Sequence, residues 1–242
     1  MVITTTAISF ILLSLGLAFC GWRFRVAFRG AGNSEANKKI GFLVSLYFGG
    51  FAFQNSIIGF GTLFFAQNAS GLFYVLVAAN SFLSLVAVLG VYMVCYIFFP
   101  RSSPQIPVII TFALGVSSLI LIFIAHPQPF ITPTNGIEWN MPAPLAVMVF
   151  YLLLISIGAS FYIFAKLFFQ VKIREIKILS FVLVVAAIAG IVDAFVRFIL
   201  LHGAVADVRT SIYDVGIGLI GTVFIVAFLI FFTIREKLRN HS

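Results

Sequence analysis

Seven apolar runs, each long enough to cross a lipid bilayer, leave this chain little freedom in its fold. About 20 helical residues traverse a hydrocarbon core of roughly 30 Å. The runs lie near Ile3–Trp22, Ile40–Ala66, Leu72–Phe99, Ile106–Ala125, Ala143–Phe169, Ile178–Leu201 and Ile212–Thr233. Inside lipid no water can satisfy a free peptide group, so a spanning segment must pair its own backbone as a helix or belong to a closed barrel. Continuous runs of this length specify helices. Composition agrees: 62% of residues are hydrophobic and 9% charged, with 30 Phe, whereas soluble domains carry about 25% charged residues. No polar block separates the runs. The expected fold is all-α, a single seven-helix transmembrane domain spanning residues 1–242.

The net charge of +8 points to membrane orientation. Thirteen of the fifteen Lys and Arg residues fall between runs or at the end of a run on one side, or in the tail. They are Arg23, Arg25, Arg29, Lys38, Lys39, Arg101, Lys166, Lys172, Arg174, Lys177, Arg235, Lys237 and Arg239. Of the other two, Arg197 lies within a run and Arg209 on the opposite side, near Glu138 and Asp207. Excess Lys and Arg marks cytoplasmic loops, so the amino terminus is expected outside and the carboxyl terminus in the cytoplasm. A nucleic-acid partner is not expected, because that requires a basic face on a folded, water-soluble surface. The lipid bilayer is the expected partner, and the basic 23–39 loop suits anionic headgroups. The first run lacks a basic n-region and is followed at once by Arg23 and Arg25, as an uncleaved first helix would be. Cys20 and Cys95 fall inside runs at no metal or redox spacing and read as small buried thiols.

Polar residues inside the runs carry what functional information there is. The helical rise of 1.5 Å per residue sets Gln54, Asn55, Asn80, Tyr151 and Asp193 in one layer in the outer half of the core. Arg197, His202 and Asp214 continue that polarity toward the outer surface. Asp193 and Arg197 are four apart, a spacing that lets helical side chains meet. Charge at this depth is costly and usually faces a partner or a hydrated cavity. An Asp193–Arg197 ion pair facing an outer pocket is therefore expected, with Gln54, Asn55, Asn80, Tyr151 and Asp214 completing a ligand-binding layer. The 126–143 segment, HPQPFITPTNGIEWNMPA, holds four prolines and cannot be regular helix. It reads as a connector or, alternatively, as a lid over the outer mouth. Trp139 within it, and Trp22 on the other side, suit the two interfacial aromatic belts.

Several motifs carry less than they suggest. Gly216, Gly218 and Gly221 spell G-x-G-x-x-G, but inside a membrane run with no preceding strand they read as close-packing residues. The pairs Gly59/Gly61 and Ala186–Gly190 read the same way. Asn68-Ala-Ser70 is a sequon lying too near the bilayer to weigh. His126 and His202 are weak metal candidates without a third ligand, so no metal and no cofactor is expected.

The seventh run has no lysine for a retinal Schiff base. No histidine lies inside the bundle for a membrane metallohydrolase. An enzyme is not expected. The expected function is a sensor or receptor-like module, with a small-molecule pocket in the outer half and basic inner loops for a cytoplasmic or membrane signalling partner. A small seven-helix solute carrier is the alternative, although no proline interrupts any of the seven runs, Pro144 standing at a helix start, and no broken helix is evident. A membrane scaffold or accessory subunit without ligand is a second. The expected location is a plasma or bacterial inner membrane.

Overall fold

The computed structural model describes residues 3–28, 34–99, 101–170 and 174–239. Arg29 and Lys172 of the basic loops lie outside the described residues. Among those described, seven helices are long and apolar enough to cross a membrane, the architecture of a multi-pass membrane protein. They are α1 (Thr5–Phe28), α2 (Glu35–Phe65), α3 (Ala69–Phe98), α4 (Gln105–Ala125), α5 (Ala143–Gln170), α6 (Arg174–Phe195) and α7 (Ala206–Arg239). Over Val196–Leu200 the end of α6 widens into a π-helical turn, closed by the Leu201 N–H donating to Val196 O at 2.8 Å.

Helix ends follow local chemistry. Thr4 Oγ1 accepts from the Ala7 N–H at the start of α1, and Asn68 Oδ1 accepts from the Gly71 N–H at the start of α3. Both are N-caps, satisfying donors that the first turn leaves free. His126 closes α4 in the left-handed conformation, with φ of 42°.

The helices form a ring with one member outside it. Going round, α1 packs on α2, α2 on α3, α3 on α5, α5 on α6, α6 on α7, and α7 returns to α1. α4 rests on the outside, against α3 and α5. Its Ile109, Ile110, Phe112, Ile120 and Ile124 are exposed, as a lipid-facing surface requires.

Small residues let the ring close. A Cβ built on Gly221 would stand 2.6 Å from Leu13 N and 2.8 Å from Leu12 C, and one on Gly218 3.1 Å from Ser9 Oγ. Both glycines therefore face α1. Gly59 meets Ile11 of the same helix, and Gly61 meets Val75 of α3. Polar ties supplement this packing. Ser14 Oγ donates to Ala52 O at 2.8 Å, and the fully buried Tyr47 joins α2 to α5 through Ser156 O and Ser160 Oγ.

The bundle has two different ends. The described basic residues Arg23, Arg25, Lys39, Lys166 and Lys177 stack on Trp22, Phe42, Tyr96, Phe98 and Phe168 respectively, at the basic end. The opposite end, where α1 and α7 begin, carries a β-hairpin of β1 (Phe130–Ile131) and β2 (Ile137–Glu138). Its register pairs Phe130 with Glu138 and Ile131 with Ile137.

Candidate functional site

The hairpin is built into the bundle, which overturns the connector reading of the 126–143 segment. Its turn closes with the Thr132 N–H donating to Gly136 O at 2.9 Å, and Asn135 takes a φ of 63°, which Asn tolerates better than most residues. Thr134 donates through its backbone N–H and hydroxyl to Asp207 Oδ1 at the start of α7, at 3.0 and 2.5 Å. On the other side the Thr5 N–H donates to Asn135 O at 3.0 Å, and the Ile137 N–H donates to Thr6 Oγ1 at 2.8 Å. A Cβ on Gly136 would collide with Thr210, so the turn lies directly on α7.

This placement drives Glu138 into the protein at 2% exposure. Arg197, 4% exposed, donates to it with both terminal nitrogens, Nη1 to Oε2 at 2.8 Å and Nη2 to Oε1 at 3.0 Å. Arg209 Nε and Thr210 Oγ1 each donate to Oε2 at 3.1 Å, and the Asn140 N–H donates to Oε1 at 3.0 Å. Burial pushes this carboxyl upward, but the hydrogen bonds and charge of Arg197, with Asn140 and Arg209, outweigh it and hold Glu138 below the usual carboxylate range.

Arg197 therefore pairs with Glu138 and not with Asp193. The expected i,i+4 contact presupposes an unbroken α-helix. The π turn beginning at Val196 changes the register, and Arg197 turns toward the hairpin with its guanidinium 5.7 Å from the centre of the Tyr213 ring. Asp193 lies instead against the α7 backbone, where its carboxylate fills the space a Cβ on Gly216 would need. Asp214, 2% exposed, accepts at Oδ2 from Thr5 and Thr6 hydroxyls at 2.8 and 2.7 Å, while its backbone O accepts from Ser9 Oγ at 2.6 Å. Thr6 thus joins the hairpin, α1 and α7 in one chain of hydrogen bonds.

Beneath this polar cap, the six ring helices enclose an axial cavity of about 120 Å³. Its walls are overwhelmingly apolar, and Trp139, Met141, Phe198 and Tyr213 separate it from the Glu138 cluster. No helix of the ring is missing from the lining, and α4 contributes nothing to it. Gln54, Asn55 and Asn80 are buried and all border this space. Asn55 Nδ2 donates back to Phe51 O at 2.7 Å, and Asn80 Nδ2 donates to Ser118 Oγ of α4. Gln54 Oε1 and Asn80 Oδ1 are buried without a hydrogen-bond partner. Leaving such groups unpaired costs about 1–3 kcal/mol each.

No known protein family, curated relative or solved structure matches this chain.

The single polar layer expected from depth divides in two. Gln54, Asn55 and Asn80 gather at the cavity, whereas Arg197 and Asp214 belong to the cap above it. Tyr151 joins neither, for its side chain is 52% exposed on the outer face of α5. Trp139 also departs from expectation: it is 6% exposed and caps the cavity, while Trp22 is exposed as a belt residue should be. His126 packs on Phe73 with ring centres 4.3 Å apart, and His202 borders a small cleft beside Arg209. Among the described residues no group of three or more His, Cys, Asp or Glu could hold a metal. Sequence reasoning missed Glu138 as a site residue. Its one signal was an acid in a proline-rich segment on the same side of the bundle as Arg209.

Proposed function

We propose that this chain is a receptor-like membrane protein that takes up a small, mainly apolar molecule in its axial cavity. The observation that carries this reading is an apolar cavity bordered by all six ring helices, with the buried amide side chains of Gln54, Asn55 and Asn80 among its lining. Apolar pockets with a few converging polar groups are the usual form of small-molecule sites. An engineered apolar cavity of about 150 Å³ accepts benzene, so the size suits a single ring or a short branched chain. Gln54 and Asn80 supply hydrogen-bond acceptors, which favours a ligand with a hydroxyl or amine.

The excess of basic residues at one end supports a cytoplasmic position for that end under the positive-inside rule, with the hairpin outside. The hairpin is then the cover through which a ligand enters, and the cation–aromatic pairs of the basic end are a surface for headgroups or a cytoplasmic partner.

The test is thermal unfolding of the detergent-purified protein with phenol, cyclohexanol and benzene. At a hundredfold excess over Kd, binding contributes about 2.7 kcal/mol of stability. The hydroxyl-bearing probes should raise Tm more than benzene does. Ala186→Phe, which fills the cavity from α6, should abolish the rise. No rise with any probe, or an equal rise in Ala186→Phe, overturns the reading.

A further inference from the structure

The polar cap holds more negative than positive charge. Glu138, Asp193 and Asp214 are three carboxylates, and Arg197 and Arg209 are the two guanidiniums that face them. Both guanidiniums are committed to Glu138, Arg197 through two nitrogens and Arg209 through Nε. The remaining Arg209 nitrogen in contact, Nη1, donates to the backbone carbonyls of His202 and Leu201. Asp214 receives hydroxyl donors on Oδ2 alone, and its Oδ1 is buried without a partner. Asp193 Oδ2 is also buried without a partner, pressed between α6 and α7 where Gly216 leaves room for the carboxylate.

We infer that this cap is a proton-binding site, in which Asp193, supported by Asp214, carries the single proton that balances the cluster. An uncompensated carboxylate at membrane depth is expensive and is a functional-site candidate by default. Groups in this position neutralise in preference to staying ionised alone. A protonated Asp193 also gains an O–H donor, so the carboxyl ceases to be a pure acceptor. Among the described residues, the elements packed around it bring the following titratable or charged groups. Arg197 lies on the same segment, Asp214, Tyr213 and Arg209 on α7, Glu138 on the hairpin, and His202 beyond the π turn; the start of α1 brings only the hydroxyls of Thr5, Thr6 and Ser9. Asp214 fits as the supporting group, because its two threonine hydroxyls already stabilise negative charge there. The site stands apart from the axial cavity and does not require that cavity to bind anything.

Infrared difference spectra of the purified protein between acidic and alkaline pH read the protonated carboxyl directly through its C=O stretch. The wild type should show this band, and its proton uptake should exceed that of Asp193→Asn by one proton per chain. Asp193→Asn should lose the band, Asp193→Glu should keep it at a shifted position and midpoint, and Asp207→Asn, at the hairpin turn, should leave it unchanged. Asp193→Glu retains the carboxyl and so reports even where Asn impairs folding. A wild-type spectrum without the band, or a band that Asp193→Glu does not move, overturns the assignment. Loss of the band on replacing choline chloride by sodium chloride at fixed pH also overturns it, in favour of a sodium site.

Discussion

Glu138 joins parts of the chain 59 and 71 residues distant from it, and its removal strands two guanidiniums. Breaking one partner from a buried ion pair costs about 3–5 kcal/mol, because the other charge stays buried and unmatched. Glu138→Ala should therefore lower Tm sharply in detergent, and a change of under about 1 kcal/mol would show the contact to be as weak as a surface pair. The pH dependence has a definite sign. The folded state holds this carboxyl below its unfolded value, so its contribution is fully present above the ordinary carboxylate pKa of about 4.3. It fades as pH falls through the lower folded value. Tm should thus drop on acidification below the usual carboxylate range, and Glu138→Gln should flatten that part of the profile; a profile identical to wild type would refute the assignment. Nothing local announces this role. Arg197 has an acid at the spacing that normally pairs within a helix, and only the π turn redirects it to an acid in a distant loop.

At the scale of elements, the contact of α1 with α7 is set by glycine. Gly221 faces backbone atoms of Leu12 and Leu13, which cannot swing aside as a side chain can. Gly221→Ala should cost about 1–3 kcal/mol by overpacking. Gly158→Ala, with nothing within 4 Å of the new methyl, should be neutral or gain up to about 1 kcal/mol from helix propensity. Denaturant titration of the two variants checks the contrast, and equal effects would mean the helices separate freely there. The helices themselves were legible, since an apolar run of spanning length has no other stable form in lipid. The start of α7 was not. Asp207 and Arg209 read as loop charges, which moves the apparent start from Ala206 to Ile212, yet Asp207 is held by Thr134 and Arg209 by Glu138. Apolar periodicity cannot show charges satisfied by a hairpin that folds back.

For the whole molecule, the charge asymmetry makes a topological claim that chemical labelling can test. Gln128 beside the hairpin and Ser102 between α3 and α4 are both exposed, at opposite ends of the bundle. A membrane-impermeant maleimide applied to intact cells should label Gln128→Cys and spare Ser102→Cys; the reverse pattern would invert the orientation. Helical rise sets Gln54, Asn55 and Asn80 at a common level, and all three border the axial cavity. Rise does not say which way each side chain points, so Tyr151 at the same level faces outward.

The ring's closure also dictates an order of assembly. Thr5, Thr6 and Ser9 on the first helix find their acceptor, Asp214, only on the last. During synthesis the first span must wait in the bilayer with these hydroxyls uncommitted until some two hundred further residues have been made. Contacts so distant in sequence carry a large loop-closure penalty before they reward the chain. Closure of this ring should accordingly come in one late docking event, and a ribosome stalled before α7 would leave an open horseshoe in the membrane.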